Sequence, residues 1–109
     1  QIGSGSLTTT GYNSSAYAGG SAGFNSASFT SGFALEYVGN ASYIRRGLLT
    51  LVNMGSNTWV VSGTFANLAT TGQFVAGSIA LSGVLDRISL TTVNGTDTFN
   101  AGSVNIFWE

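Results

Sequence analysis

Over much of the chain, apolar and polar positions alternate with a period close to two, beginning at residue 31. Phe33, Leu35 and Tyr37 alternate with Ala34, Glu36 and Val38, which predicts a half-buried strand, and Gly39-Asn40 punctuates it. Residues 43–53 form the next run. Its Leu48, Leu49, Leu51 and Val52 are too continuous for one wet face, so both faces are expected to be covered. Residues 53–57, Asn-Met-Gly-Ser-Asn, read as a hairpin turn. Residues 58–65 follow, with Trp59, Val61 and Phe65 on one side and Val60, Ser62 and Thr64 on the other. Two further strands are expected at 73–81 and 84–93, separated at Ser82-Gly83. Asn94-Gly95 is a strong turn signal because both residues tolerate positive φ. A last strand is expected at 102–108, where Val104, Ile106 and Trp108 alternate with Ser103, Asn105 and Phe107.

No window carries apolar residues at helical spacing over three turns. Short strands at roughly 8–12 residue spacing with turn signals between them predict an all-β fold, an antiparallel β-sandwich of jelly-roll type. Leu49, Leu51, Trp59, Val61, Phe65, Ile79, Leu81, Ile88, Leu90, Val104 and Ile106 are the expected core, and Trp108 is expected to pack inside as well. Residues 1–30 differ from the rest. They are dominated by Gly, Ser, Ala and Asn, with Tyr12, Tyr17, Phe24 and Phe29 widely spaced. They read as an extended arm laid against the remainder or against a neighbouring subunit. Residues 1–109 thus form one domain, arm plus main sheet region, and the start at Gln1 suggests a piece of a longer chain.

Composition narrows the chemistry. Gly, Ser, Thr and Asn supply roughly half of the 109 residues, and there is no Cys, His or Pro. Three arginines against four carboxylates make up all the charge. Disulfides, Cys/His metal sites and histidine-dependent triads are excluded, and no cofactor is implied. Three arginines cannot neutralise many phosphates, which argues against nucleic acid. No apolar run approaches the ~18 residues of a membrane helix. Disorder is not the reading either, since 43% of residues are hydrophobic and 12% aromatic.

What remains as catalytic material is carboxylates, arginines and hydroxyls. A glycosidase needs two carboxyl groups roughly 5–10 Å apart, and Glu36, Asp86 and Asp97 are the candidates. Alternation is expected to send Asp86 and Arg87 to opposite faces. Asp97 falls in a turn where Asp caps backbone amides. Residues 94–102 also offer oxygen ligands at Asn94, Asp97 and Asn100, but one carboxylate is thin for Ca²⁺, and an Asx-stabilised turn is the better reading. The chain is therefore expected not to be an enzyme and to hold no metal. Tyr12, Tyr17 and Tyr43, flanked by Gly, Ser and Asn, are expected to be exposed. With Asn40 and Asn57 in neighbouring loops they are the candidate ligand-binding residues. Of Arg45 and Arg46, one is expected at a subunit interface or paired with Glu36.

Three segments carry a resemblance. Residues 58–63 (TWVVSG), 76–88 (AGSIALSGVLDRI) and 91–106 (TTVNGTDTFNAGSVNI) are similar to the C-terminal module of tailed-bacteriophage virion proteins, the tail fibres, tailspikes and related structural proteins. The likeness covers residues 47–109. Its closing strand tends to end in an aromatic followed by Glu, as Trp108-Glu109 does, which implies that Glu109 is the natural end. The resemblance implies a non-enzymatic, commonly trimeric β-domain on a virion surface, extracellular once released. Its partners would be copies of itself, other virion proteins and host-surface polysaccharide. An assembly-only trimerisation or capsid-decoration domain is the alternative, and a carbohydrate-active enzyme a remote third.

Overall fold

A computed structural model describes residues 1–21, 23–37, 42–67 and 71–109. The described residues contain strands and no helix. The strands are β1 (Ile2–Ser4), β2 (Ser6–Leu7), β3 (Asn13–Gly20), β4 (Gly23–Phe29), β5 (Arg45–Asn53), β6 (Thr58–Asn67), β7 (Gly72–Ala80) and β8 (Arg87–Ile88). Every pairing is antiparallel. A small sheet runs β2-β1-β8 and a large one β4-β3-β7-β6-β5.

The hairpin of β5 and β6 follows the expected pattern. Its turn uses Gly55, Ser56 and Asn57 at positive φ, with the Asn53 side chain accepting from the Gly55 N–H at 2.8 Å. β7 then lies beside β6, as a meander requires, but the neighbour on its far side is β3. Residues 1–30, expected as an extended arm, therefore supply β1–β4, and β3 is an interior strand of the large sheet. Its inward positions, Ser14, Ala16 and Ala18, are all buried. Their small side chains leave room for residues 31–37, which run as bends and irregular chain instead of the expected strand. Two buried polar side chains hold that segment. Ser14 Oγ accepts from the Ala34 N–H at 3.1 Å, and Gln73 Oε1 accepts from the Tyr37 N–H at 2.7 Å. Each satisfies a backbone donor that no ladder reaches.

The core sits where β1 meets the inner face of the large sheet. Ile2, Tyr12, Ile79 and Leu81 are buried together, with Phe33, Leu51, Trp59 and Leu85 packed against them. Val61, Ile79 and Leu81 are buried as expected, while Leu49, Leu51, Trp59 and Phe65 are half-buried. The C-terminal third departs from expectation. The strand expected at 84–93 shrinks to Arg87–Ile88, and residues 102–108 pair with nothing among the described residues. Ile88, Leu90, Val104 and Ile106 are exposed, and Trp108 is 85% exposed. Period two is present there, yet the sheet offers these residues no partner strand.

Candidate functional site: the outer face of the large sheet

Pairing register fixes what the outer face of the five-stranded sheet presents. In β7, Gln73, Val75 and Ile79 point inward and are buried, so Phe74, Ala76 and Ser78 point outward. Carried across the ladder, one outward row reads Ser26, Tyr17, Phe74, Thr64, Leu48 from β4 to β5. The next reads Ser28, Ser15, Ala76, Ser62, Thr50, and the one after it Asn13, Ser78, Val60, Val52. The middle row is made of small residues alone, between two rows that carry larger ones. It forms a trough crossing all five strands, about 19 Å long at the usual strand spacing. Two shallow depressions lie along it. One of ≈ 350 Å³ is bordered by Leu48, Thr50, Ser62, Thr64 and Phe74, the other of ≈ 270 Å³ by Asn13, Ser15, Tyr17, Ala76 and Ser78.

The surface is close to uncharged. β3, β4, β6 and β7 contain no ionisable acid or base apart from Tyr17, and β5 contributes Arg45 and Arg46 at its start. Tyr17 and Phe74 are directly opposed in the ladder and 47% and 56% exposed, so they form an aromatic step on one bank. Serine and threonine hydroxyls line the floor and both banks, each able to donate and accept.

The expected ligand residues scatter. Tyr17 lies on the bank of the trough. Tyr12 is 2% exposed, which corrects its expected exposure. Its ring meets Phe33 edge-on at 4.9 Å, and its hydroxyl accepts from the Ile2 N–H at 2.8 Å while facing the Ile2 and Thr8 carbonyls. Tyr43 is half-buried outside the strands, and its carbonyl accepts from Arg45 Nη1. Asn57 occupies the β5–β6 turn at φ 57°, its carbonyl accepting from the Leu81 N–H. Asn40 lies outside the described residues. Missed in the sequence were Phe74, Ala76, Ser15 and Ser62; Phe74 and Ala76 share the outward parity of β7, the one signal that could have found them.

Arg45 and Arg46 point to opposite faces. Arg45 pairs with Glu36 at 2.6 Å, one of the two expected outcomes, and Arg46 is exposed on the outer face. Asp86 does not turn away from Arg87 as expected. It precedes the two-residue strand and pairs with Arg87 at 2.7 Å, while its other oxygen accepts from the Gly5 N–H. The Arg87 hydrogen bond, then the Gly5 N–H, hold the Asp86 carboxyl below the usual carboxylate range. A depressed folded value stabilises the fold above the unfolded pKa, near 3.9, and that contribution is lost as pH falls through the folded one. Acid titrations of the melting temperature should therefore fall less steeply below about pH 4 in Asp86→Asn than in the parent chain. Asp97 is not the cap of its turn. Asn94 Oδ1 accepts from the Thr96 and Asp97 N–H groups, and Asp97 accepts from Asn94 Nδ2 at 2.9 Å. No group of three or more His, Cys, Asp or Glu side chains able to hold a metal occurs among the described residues.

No protein-family model, curated protein or solved structure matches the chain.

Proposed function

We propose that the chain is a non-catalytic adhesion module of a phage particle surface, of the tail-fibre or tailspike tip type, which lays a neutral host-surface polysaccharide along the outer-face trough. The observation that carries this reading is a groove of hydroxyl-bearing side chains with an aromatic step and almost no charge. Sugars present hydroxyls that match Ser and Thr as donor or acceptor, and an apolar C–H face that stacks on Tyr17 and Phe74. An ion-poor groove suits a neutral polymer, and its binding should hardly respond to salt. The non-catalytic part is supported by where the carboxylates sit. Glu36, Asp86 and Asp97 are each engaged by a neighbour, and none lies in a row of the outer face. The two antiparallel sheets, packed through Ile2 and Ile79, suit a sandwich, and presentation as a trimer would raise a weak single-site affinity by about 10²–10⁴.

The test is binding to immobilised bacterial polysaccharides, neutral and anionic, at low and high salt. The expected result is capture of one or more neutral polymers with little salt dependence. Replacing Tyr17 and Phe74 together by Ala should weaken it about tenfold or more, at roughly 0.5–1.5 kcal/mol per ring. Unchanged binding in that variant would refute the site. Failure to bind any polymer would favour the assembly-only reading, which draws on the exposed Leu48, Val52 and C-terminal residues.

A further inference from the structure

Two features of the molecule lack a partner and match each other. Residues 98–109 carry no regular secondary structure, and no hydrogen bond joins them to the other described residues. They hold an alternating apolar stretch, with Val104, Ile106, Phe107 and Trp108 all exposed. The outer edge of β5 is the other feature. Among the described residues β5 pairs with β6 alone, so between Arg46 and Asn53 the alternate backbone donors and acceptors that face away from β6 have no ladder partner there. Such edges are normally blunted by proline, lysine or a bulge; here Arg45 and Arg46 at one end are the only charges.

We infer that residues 102–108 of one copy add to the β5 edge of a second copy as an antiparallel sixth strand. Charge sets the direction. Glu109 is the one acid after Asp97, and Arg46, exposed and without an ion pair among the described residues, stands at the start of β5. Placing Glu109 opposite Arg46 fixes every other pair. Ile106 and Val104 fall beside Leu49 and Leu51, extending the inner face. Trp108 falls beside Gly47, next to the half-buried Phe65 ring. Phe107 meets exposed Leu48 on the outer face, and Asn105 meets Thr50. A shift of one residue would turn the apolar set to the wrong side and separate the charges.

Exchange between copies rests on the fold itself, in which residues 102–108 do not join their own β5. Ser89 and Gln1 exchange backbone hydrogen bonds, and the Gln1 side chain donates to the Ser31 carbonyl just beyond β4. The chain thus leaves Ser89 near the end of β4, at the opposite side of the large sheet from β5. A contact between two different surfaces is heterologous, so it closes into a ring when the rotation allows. The inference stands apart from the polysaccharide reading.

The chain has no cysteine, which makes cross-linking clean. Leu48→Cys and Phe107→Cys, prepared as separate single variants, mixed and oxidised, should give a disulfide-linked species holding one of each. Sedimentation of the full chain at micromolar concentration should show association. Deleting residues 102–109 should leave a monomer with an unchanged far-ultraviolet circular dichroism spectrum. Arg46→Glu should weaken association, and combining it with Glu109→Arg should restore it. A full chain that stays monomeric, a deletion that still associates, or linkage absent between the mixed single variants would each overturn the inference, whatever the polysaccharide experiment gives.

Discussion

Truncating Tyr12 to Ala should destabilise the fold by about 3–5 kcal/mol, the usual cost of emptying a large aromatic site. The ring is the centre of a small core, touching Phe33 and lying with Ile2, Ile79 and Leu81 where the two sheets meet. Against a total stability of about 5–15 kcal/mol, a loss of that size leaves little margin. The hydroxyl is separable from the ring. Tyr12→Phe keeps the packing but leaves the buried Ile2 N–H without its acceptor, which should cost about 1–3 kcal/mol. Denaturant melts of the parent and both variants measure this. Equal midpoints for the parent and Tyr12→Ala would place Tyr12 at the surface, where sequence context alone put it.

Gly77→Ala should also destabilise, although alanine is the smallest change available. A Cβ at Gly77 would lie 2.6 Å from the Asn13 carbonyl oxygen and 3.0 Å from the Ser14 Cα. Those are backbone atoms of β3, so they yield only if β3 moves away from β7. That ladder is what joins the β3–β4 hairpin to the rest of the sheet. Overpacking of this kind costs about 1–3 kcal/mol, and Gly77→Val, with two more carbons, should lie at or beyond the upper end. Gly72 is the control. It sits in the same strand with open space around its Cβ position, so Gly72→Ala should melt within about 0.5 kcal/mol of the parent.

Period two made β5, β6 and β7 legible because their inward positions are large and apolar: Leu49 and Leu51, Trp59 and Val61, Val75 and Ile79. The same rule missed β3. Its inward residues are Ser14, Ala16 and Ala18, and a period written in small side chains reads as an extended arm. It overreached at residues 102–108, since alternation reports the capacity of a segment to pair and says nothing of whether a neighbour is present. Tyr12 misled for a related reason. Its flanks, Gly11 and Asn13, suggest a wet loop, while its burial comes from Ile2 and Ile79, which only the folded topology brings near. The trough was beyond reach of a linear reading. Ser28, Ser15, Ala76, Ser62 and Thr50 come from five strands, and their alignment depends on the β3–β7 register.

In the proposed function the ligand lies in the trough, and Ala76 stands at the midpoint of that trough, exposed and clear of the core. Ala76→Arg fills the groove with a long charged side chain while leaving every buried residue untouched. Surface substitutions of this kind usually change stability by no more than about 0.5 kcal/mol, so the melting temperature and circular dichroism spectrum should match the parent. Binding to the neutral polysaccharides that the parent chain captures should then be lost. Polysaccharide binding retained at parental strength by a folded Ala76→Arg protein would contradict the account.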